Sequence, residues 1–161
     1  MCRRTECGVR EQVDIGILIG LAWHDFVQAL QADLSARGYD DNGSSYGYVF
    51  RAVDRGTLSV SELAKRLGTT SQAVTKLVNE MQAAGYVERV SDPDDARVTL
   101  VRLAPRGRAA LAAARRFHHR FERGLVERHG ERSVAALRAV LSGVVEGATA
   151  EPPHRRTIRP F

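Results

Sequence analysis

Ser59-Val60-Ser61-Glu62-Leu63-Ala64-Lys65-Arg66-Leu67-Gly68, then Thr69-Thr70, then Ser71-Gln72-Ala73-Val74-Thr75-Lys76-Leu77-Val78-Asn79-Glu80-Met81 is the stretch that decides the fold. Its first block opens with an S-x-x-E capping box (Ser59, Glu62), which satisfies orphan N–H groups at a helix start. Leu63, Ala64 and Leu67 follow at helical spacing, and Gly68 stops the helix. Thr69 or Thr70 caps a second helix that runs to about Ala84, with Gly85 past its end. Two helices joined by three or four residues make a helix-turn-helix. Two β-type runs come next, Tyr86 to Val90 and Arg97 to Leu103, around the turn-rich Ser91-Asp92-Pro93-Asp94-Asp95-Ala96. A hairpin in that place makes the motif winged.

At 100° per residue, the second helix carries Val74, Leu77, Val78 and Met81 on one side. Ser71, Gln72, Thr75, Lys76 and Asn79 occupy the other, with Thr70 at its start. The apolar set anchors the helix; the outward set is short, mostly neutral and hydrogen-bonding. Such side chains suit base edges in a major groove: Gln pairs with adenine, Lys reaches guanine, and the Thr methyl touches thymine. An ordinary solvated face carries Glu–Lys pairs at i,i+4, and here Lys76 with Glu80 is the single pair in register. In the wing, Asp92, Asp94 and Asp95 are repelled by phosphates, so their work is Asx-type turns and a clamp on Arg97. From the residues alone, Arg97 reads equally as a minor-groove probe or as half of an exposed salt bridge contributing little.

Upstream, Ile15, Leu18, Ile19, Ala22, Phe26, Leu30 and Leu34 step by three and four, the buried stripe of a helix. The breaker run Gly38 to Gly43 ends it, and Ser44 or Ser45 caps a helix through about Asp54 that buries Val49, Phe50 and Val53. Downstream, a helix runs from Pro105 to about Arg128 with Ala110, Ala114, Phe117, Phe121 and Leu125 on one side. After His129-Gly130, a last helix places Val134, Leu137, Leu141, Val144 and Val145 at near-heptad spacing. The expected fold is mainly α with a small β-hairpin wing (α+β), a winged helix-turn-helix with flanking dimerisation helices. Residues 44–103 form the winged lobe, 10–43 and 104–147 the helical dimerisation region, and 1–9 and 148–161 flexible tails. The winged portion of about 60 residues cannot cover the stripes of three more helices, so a second copy about a two-fold axis is expected.

The chain has 161 residues, 43% hydrophobic and 27% charged, with a net charge of +5. Those values exclude a disordered tail, a repeat array and a large multidomain cofactor enzyme. Residues 1–90 hold 10 basic and 11 acidic side chains, while 91–161 hold 14 and 8, so the positive field comes from the second half and favours an anionic partner. Cys2 and Cys7 are four residues apart near the amino end and make no disulfide framework; a reducing cytoplasm fits. The apolar run Ile15 to Trp23 lacks a small-x-small cleavage site and at nine residues is short of the roughly 20 needed to span a bilayer, so no membrane partner is expected.

His118, His119 and Glu122 form the one metal-like cluster, but adjacent histidines diverge by about 100° on a helix and two ligands fall short of a closed site. No nucleophile, P-loop or dinucleotide motif is present, so neither catalysis nor a cofactor is expected. The helix Arg106 to Arg128 carries seven arginines; they read as a solvated face paired with Glu122 and Glu127, apart from Arg106 and Arg108 beside the wing.

Taken together, Ser59-x-Ser61-Glu62-Leu63-Ala64-x-x-Leu67-Gly68, Ser71-Gln72-Ala73-Val74-Thr75-Lys76-Leu77-Val78, Gly85-Tyr86-Val87-Glu88-Arg89 and Asp94-Asp95-x-Arg97 resemble the MarR family of bacterial winged-helix regulators. The resemblance implies that Arg97, in the D-x-R element with Asp95, enters a minor groove, and that the first and last two helices form a dimer interface. It also implies a small-molecule pocket between that interface and the DNA-binding lobe, for which Trp23, Tyr46 and Phe50 are the candidate lining residues for an apolar or aromatic effector. The function implied is that of a homodimeric, sequence-specific regulator of double-stranded DNA, as a ligand-responsive repressor on a pseudo-palindromic operator. Ser44-Ser45 stands where the family often has Thr-Pro, Leu103-Ala104-Pro105 replaces the common Leu-Thr, and no cysteine lies in the first helix as in peroxide sensors. The alternatives are a winged-helix protein-interaction module that never touches DNA and a small metal- or thiol-dependent enzyme on His118, His119 and a cysteine.

Overall fold

The computed structural model describes residues 13–39, 45–95 and 97–147. The expectations for Cys2, Cys7, both tails, the breaker residues 40–43, Ser44 and Ala96 fall outside them. The chain runs α1 (Ile15–Ser35), α2 (Tyr46–Val53), β1 (Leu58–Ser59), α3 (Val60–Leu67), α4 (Ser71–Ala83), β2 (Val87–Ser91), β3 (Thr99–Leu103), α5 (Pro105–His129) and α6 (Glu131–Gly147). The expected fold class, mostly helical with a small winged sheet, is the one observed.

Local chemistry sets the boundaries. Ser59 Oγ accepts from the Glu62 N–H at 3.3 Å and Glu62 Oε2 accepts from the Ser59 N–H at 2.8 Å, completing the capping box of α3. Hydrogen bonds from the Ser59 backbone N–H and hydroxyl hold the Glu62 carboxyl below the usual carboxylate range. Gly68, at φ 60°, closes α3 in the left-handed conformation that costs glycine least. Thr70 caps α4, its hydroxyl accepting from the Ala73 N–H at 3.2 Å. Ser45 holds the N-cap position of α2, but its side chain makes no capping bond.

The sheet has one strand more than expected, in the order β1-β3-β2 and antiparallel throughout. Leu58 pairs with Val101 and Ser59 with Leu100, while β2 runs from Val87 opposite Leu103 to Ser91 opposite Thr99. A two-residue strand has no periodicity to detect. Tyr86 is not in a strand. It turns into the core with no exposure and makes ring contacts with Tyr46 and Phe50 at 5.6 Å. Around it gather Val49, Val53, Leu63, Val74, Val78, Met81 and Leu111. The α5 helix docks on this core through its first turns. Ala104 N–H donates to Tyr86 O at 3.0 Å, and a Cβ on Gly107 would lie 2.0 Å from that same oxygen.

Two expectations about the flanking helices need correction. The stripe of α1 is not buried within one chain: Ile15, Leu18 and Ile19 are exposed, and of all α1 residues Leu34 alone is buried. Nor is its apolar stretch merely a short run. At 21 residues, α1 is long and apolar enough by length and composition to cross a membrane. Its C-terminal half packs on α5 through Phe26, which meets Phe117 and Phe121 at 5.6 and 4.9 Å.

The arginines of α5 also depart from the expected pattern. Arg123 does meet Glu127, at 3.9 Å, but Arg115 reaches Asp54 and Arg120 reaches Asp33, each at 2.6 Å. Glu122 pairs with Arg138 of α6. Arginine stems are long enough to seek carboxylates on neighbouring elements, which sequence spacing cannot show. Such surface pairs are worth about 0–1 kcal/mol each, so they orient the helices more than they stabilise them. The Arg37 hydrogen bond, with help from Arg120, holds Asp33 below its usual pKa.

Candidate nucleic-acid interface

Val74, Val78 and Met81 are wholly buried, with Leu77 partly so. At about 1.5–3 kcal/mol for each large side chain removed from water, this anchor far outweighs the cap at Thr70, worth about 1 kcal/mol. The rotation of α4 is therefore set by its apolar face. That rotation leaves Thr70, Ser71, Gln72, Thr75, Lys76 and Asn79 exposed together.

Within this row, hydrogen bonds restrict what each side chain can offer. Thr75 Oγ1 donates to Ser71 O at 2.7 Å, leaving its methyl and lone pairs outward. Lys76 forms no ion pair with Glu80 among the described residues, so the one i,i+4 pair expected on this face is not made. Asn79 is not a free amide, because its Oδ1 accepts from Arg89 Nη2 at 2.7 Å. Arg89, a residue of β2 that the sequence did not mark, also donates from Nη1 to Gln82 Oε1. It bolts the wing to α4. A signal existed only in three dimensions, since residues 79, 82 and 89 share no periodicity.

The wing aspartates act on the backbone. Asp92 Oδ1 accepts from the Asp94 N–H at 2.9 Å, and Asp95 Oδ1 from the Arg97 N–H at 3.0 Å. Asp92 N–H and Val98 O close the base of the loop at 2.9 Å. These are the expected Asx-type turns, but the expected carboxylate clamp on the Arg97 side chain is absent. Asp95 holds the main chain of Arg97, and among the described residues its guanidinium has no ion pair or hydrogen bond. A short Asp side chain two residues back reaches the nearby N–H before it can reach the far end of an arginine.

Arg106 and Arg108, set apart in the sequence as lying beside the wing, are exposed but bond back onto the chain itself. Arg106 lies over the Tyr86 ring at 4.9 Å and donates to Gly38 O, while Arg108 donates to Leu103 O. Arg102 pairs across the strands with Glu88 at 2.8 Å.

Trp23, Tyr46 and Phe50 do not come together as one cavity wall. Trp23 is half exposed on α1 and stacks on Phe26 at 5.9 Å, whereas Tyr46 and Phe50 are buried around Tyr86. A cavity of about 360 Å3 lies elsewhere, between Val53, Asp54, Thr57, Arg102, Arg108 and Arg115. His118 is half-buried, its Nε2 3.4 Å from Arg51 Nη2; burial, and then the nearby Arg51 charge, push its pKa down. No group of three metal-ligating side chains converges among the described residues.

A capped helix, α4, seated on a capped partner helix, followed by an antiparallel wing and flanked by long helices, defines a winged helix-turn-helix fold. Residues 44–98, about a third of the chain, match the model of the MarR family. It is 36% identical over 64 residues to an HTH-type transcriptional regulator of Bacillus subtilis, YdgJ, and 28% identical over 106 residues to the exopolysaccharide II synthesis transcriptional activator ExpG of Rhizobium meliloti. Those alignments take in 40% and 66% of this chain, and the chain spans 39% and 54% of the length of these two relatives. Among solved structures, FabT of Streptococcus pneumoniae in complex with DNA superposes with a TM-score of 0.68 at 22% identity, over 84% of this chain and 97% of that one. A mutant MarR from E. coli complexed with operator DNA gives 0.63 at 24% identity, over 81% and 93%. These similarities in structure establish the fold.

Proposed function

We propose that the chain is a sequence-specific double-stranded DNA-binding transcriptional regulator that acts as a cytoplasmic homodimer. The observation that carries this reading is the pairing of an exposed, hydrogen-bonding face on α4 with an unengaged Arg97 at the wing. Helix α4 is of a width to enter a major groove while Arg97 reaches into the adjoining minor groove. The names of the relatives YdgJ and ExpG, both transcriptional regulators, support the same class.

The dimer reading rests on exposed apolar surface. Ile15, Ile17, Leu18 and Leu21 of α1 and Leu137, Val140 and Val144 of α6 are each at least half exposed. So much apolar surface on one chain marks an interaction site, and a second copy about a two-fold axis is the simplest cover. Two reading helices so related address half-sites of a pseudo-palindrome one helical turn apart, roughly 34–36 Å. A dimer covering both half-sites represses wherever its operator overlaps a promoter. Response to an apolar or aromatic effector is the part of the reading that rests on family resemblance alone.

Gel-shift titration against the DNA upstream of its own gene tests the proposal. Affinity is expected to fall steeply between about 50 and 200 mM salt as phosphate counterions are released. Arg97→Ala is expected to weaken binding about tenfold. A flat salt dependence with no duplex bound would overturn DNA recognition, and full affinity in Arg97→Ala would remove the wing from it.

A further inference from the structure

Arg89 does more than tie β2 to α4. A guanidinium has five N–H donors and no acceptor, so any amide it engages must turn its oxygen toward it. Both partners obey: Asn79 Oδ1 and Gln82 Oε1 face Arg89. They stand three residues apart on α4 and continue the exposed row begun by Thr75. Their NH2 groups therefore point away from the strand, and Asn79 Nδ2 has no partner among the described residues.

A free asparagine recognises adenine by setting its oxygen and its NH2 side by side against N6–H2 and N7. With Oδ1 turned to the strand, that bidentate pattern is no longer available at position 79. What remains is a donor, on an amide whose oxygen is held by a positive guanidinium. Both purines present an N7 acceptor on the major-groove edge, but beside it guanine has a second acceptor, O6, where adenine has the N6–H2 donor that faces an amide NH2 donor to donor.

We propose that Arg89 is a specificity-determining residue acting through Asn79: by holding Oδ1 it makes Asn79 a donor-only reader that selects guanine over adenine. The inference rests on the DNA-reading function proposed above and adds to it the chemistry of one base position. Lys76, one turn back and also donor-only, extends the same polarity along the face.

Selection from a randomised duplex library tests it, with the full-length chain as wild type, Asn79→Ala, Asn79→Asp and Arg89→Ala. The wild type is expected to select guanine at one position of each half-site by about tenfold over adenine. Asn79→Ala should flatten that position alone. Asn79→Asp keeps an acceptor for Arg89 but removes the donor, so it should lose guanine there while still folding. Arg89→Ala frees the amide and should admit adenine at the same position, with the rest of the half-site unchanged. Adenine at the Asn79-dependent position in the wild type overturns the proposal, as does an Arg89→Ala selection identical to wild type. Should Arg89→Ala fail to fold, retention of guanine by Asn79→Asp overturns it equally. A wild type that enriches no duplex would sink the DNA-reading function itself, an outcome distinct from enrichment with the wrong base.

Discussion

Gly107→Ala sets two effects of opposite sign against each other. In a helix interior, replacing glycine by alanine ordinarily stabilises by about 0.5–1 kcal/mol, because the unfolded chain loses freedom. At this position the new Cβ would sit 2.0 Å from Tyr86 O and 3.3 Å from Leu103 Cδ2. Ordinary contact begins at 3.4 Å, so α5 and the Tyr86 carbonyl must part by roughly 1.4 Å, the difference between 3.4 and 2.0. A Cβ has no rotamer to relieve it, and the atom it meets is backbone. That parting loosens the Ala104–Tyr86 hydrogen bond, worth about 1 kcal/mol, and the packing of Leu103 and Leu111 below it. Overpacking of this kind costs about 1–3 kcal/mol. The steric effect wins, leaving a net loss of about 1–2 kcal/mol and a Tm lowered by about 2–8 °C. Circular-dichroism melts at fixed protein concentration measure it. Gly124→Ala, in the same helix, is the control: its Cβ meets only Arg128 Nη2 at 4.0 Å and should melt at or above wild type. A Gly107→Ala protein that melts as high as wild type would refute the close seating of α5 on Tyr86.

Glu62 titrates low in the folded chain because Ser59 donates to it. A carboxyl with a depressed folded pKa stabilises above its unfolded value, near 4.3, and loses that contribution as pH falls through the folded one. The Tm gap between wild type and Glu62→Gln should therefore narrow from pH 6 to pH 3, and a constant gap would show the box does not depend on charge. Ser59→Ala should cost about 0.5–2 kcal/mol in urea unfolding at pH 7, and no loss would dismiss the cap. Val140→Glu, on the exposed face of α6, should leave secondary structure intact and shift sedimentation from dimer to monomer; an unchanged dimer would place the interface elsewhere.

The helix-turn-helix was legible because its signals are local. A capping box, a glycine in the left-handed region and an apolar spacing of three and four act within one or two turns, and each recurs in the structure at the expected residues. The anchored side of α4 was legible for the same reason, since Val74, Val78 and Met81 must leave water together and so fix which residues stay out. The reach of arginine side chains was not. Arg106 reads as a surface cation beside the wing yet covers Tyr86, and Arg115 and Arg120 pair with α2's C-cap Asp54 and with Asp33 of α1, more than 60 positions away.

Sequence alone determined the class of fold, the element order and the face that α4 turns outward, because those follow from interactions between near neighbours along the chain. Tertiary structure alone decided that Tyr86 is the centre of the core, that Tyr46 and Phe50 fill it, and that Arg97 is left unengaged among the described residues while Arg89 is spent on Asn79 and Gln82. Each of these depends on which groups meet across separate elements. Long side chains and rings choose partners by distance in space, and that choice leaves no period in the sequence.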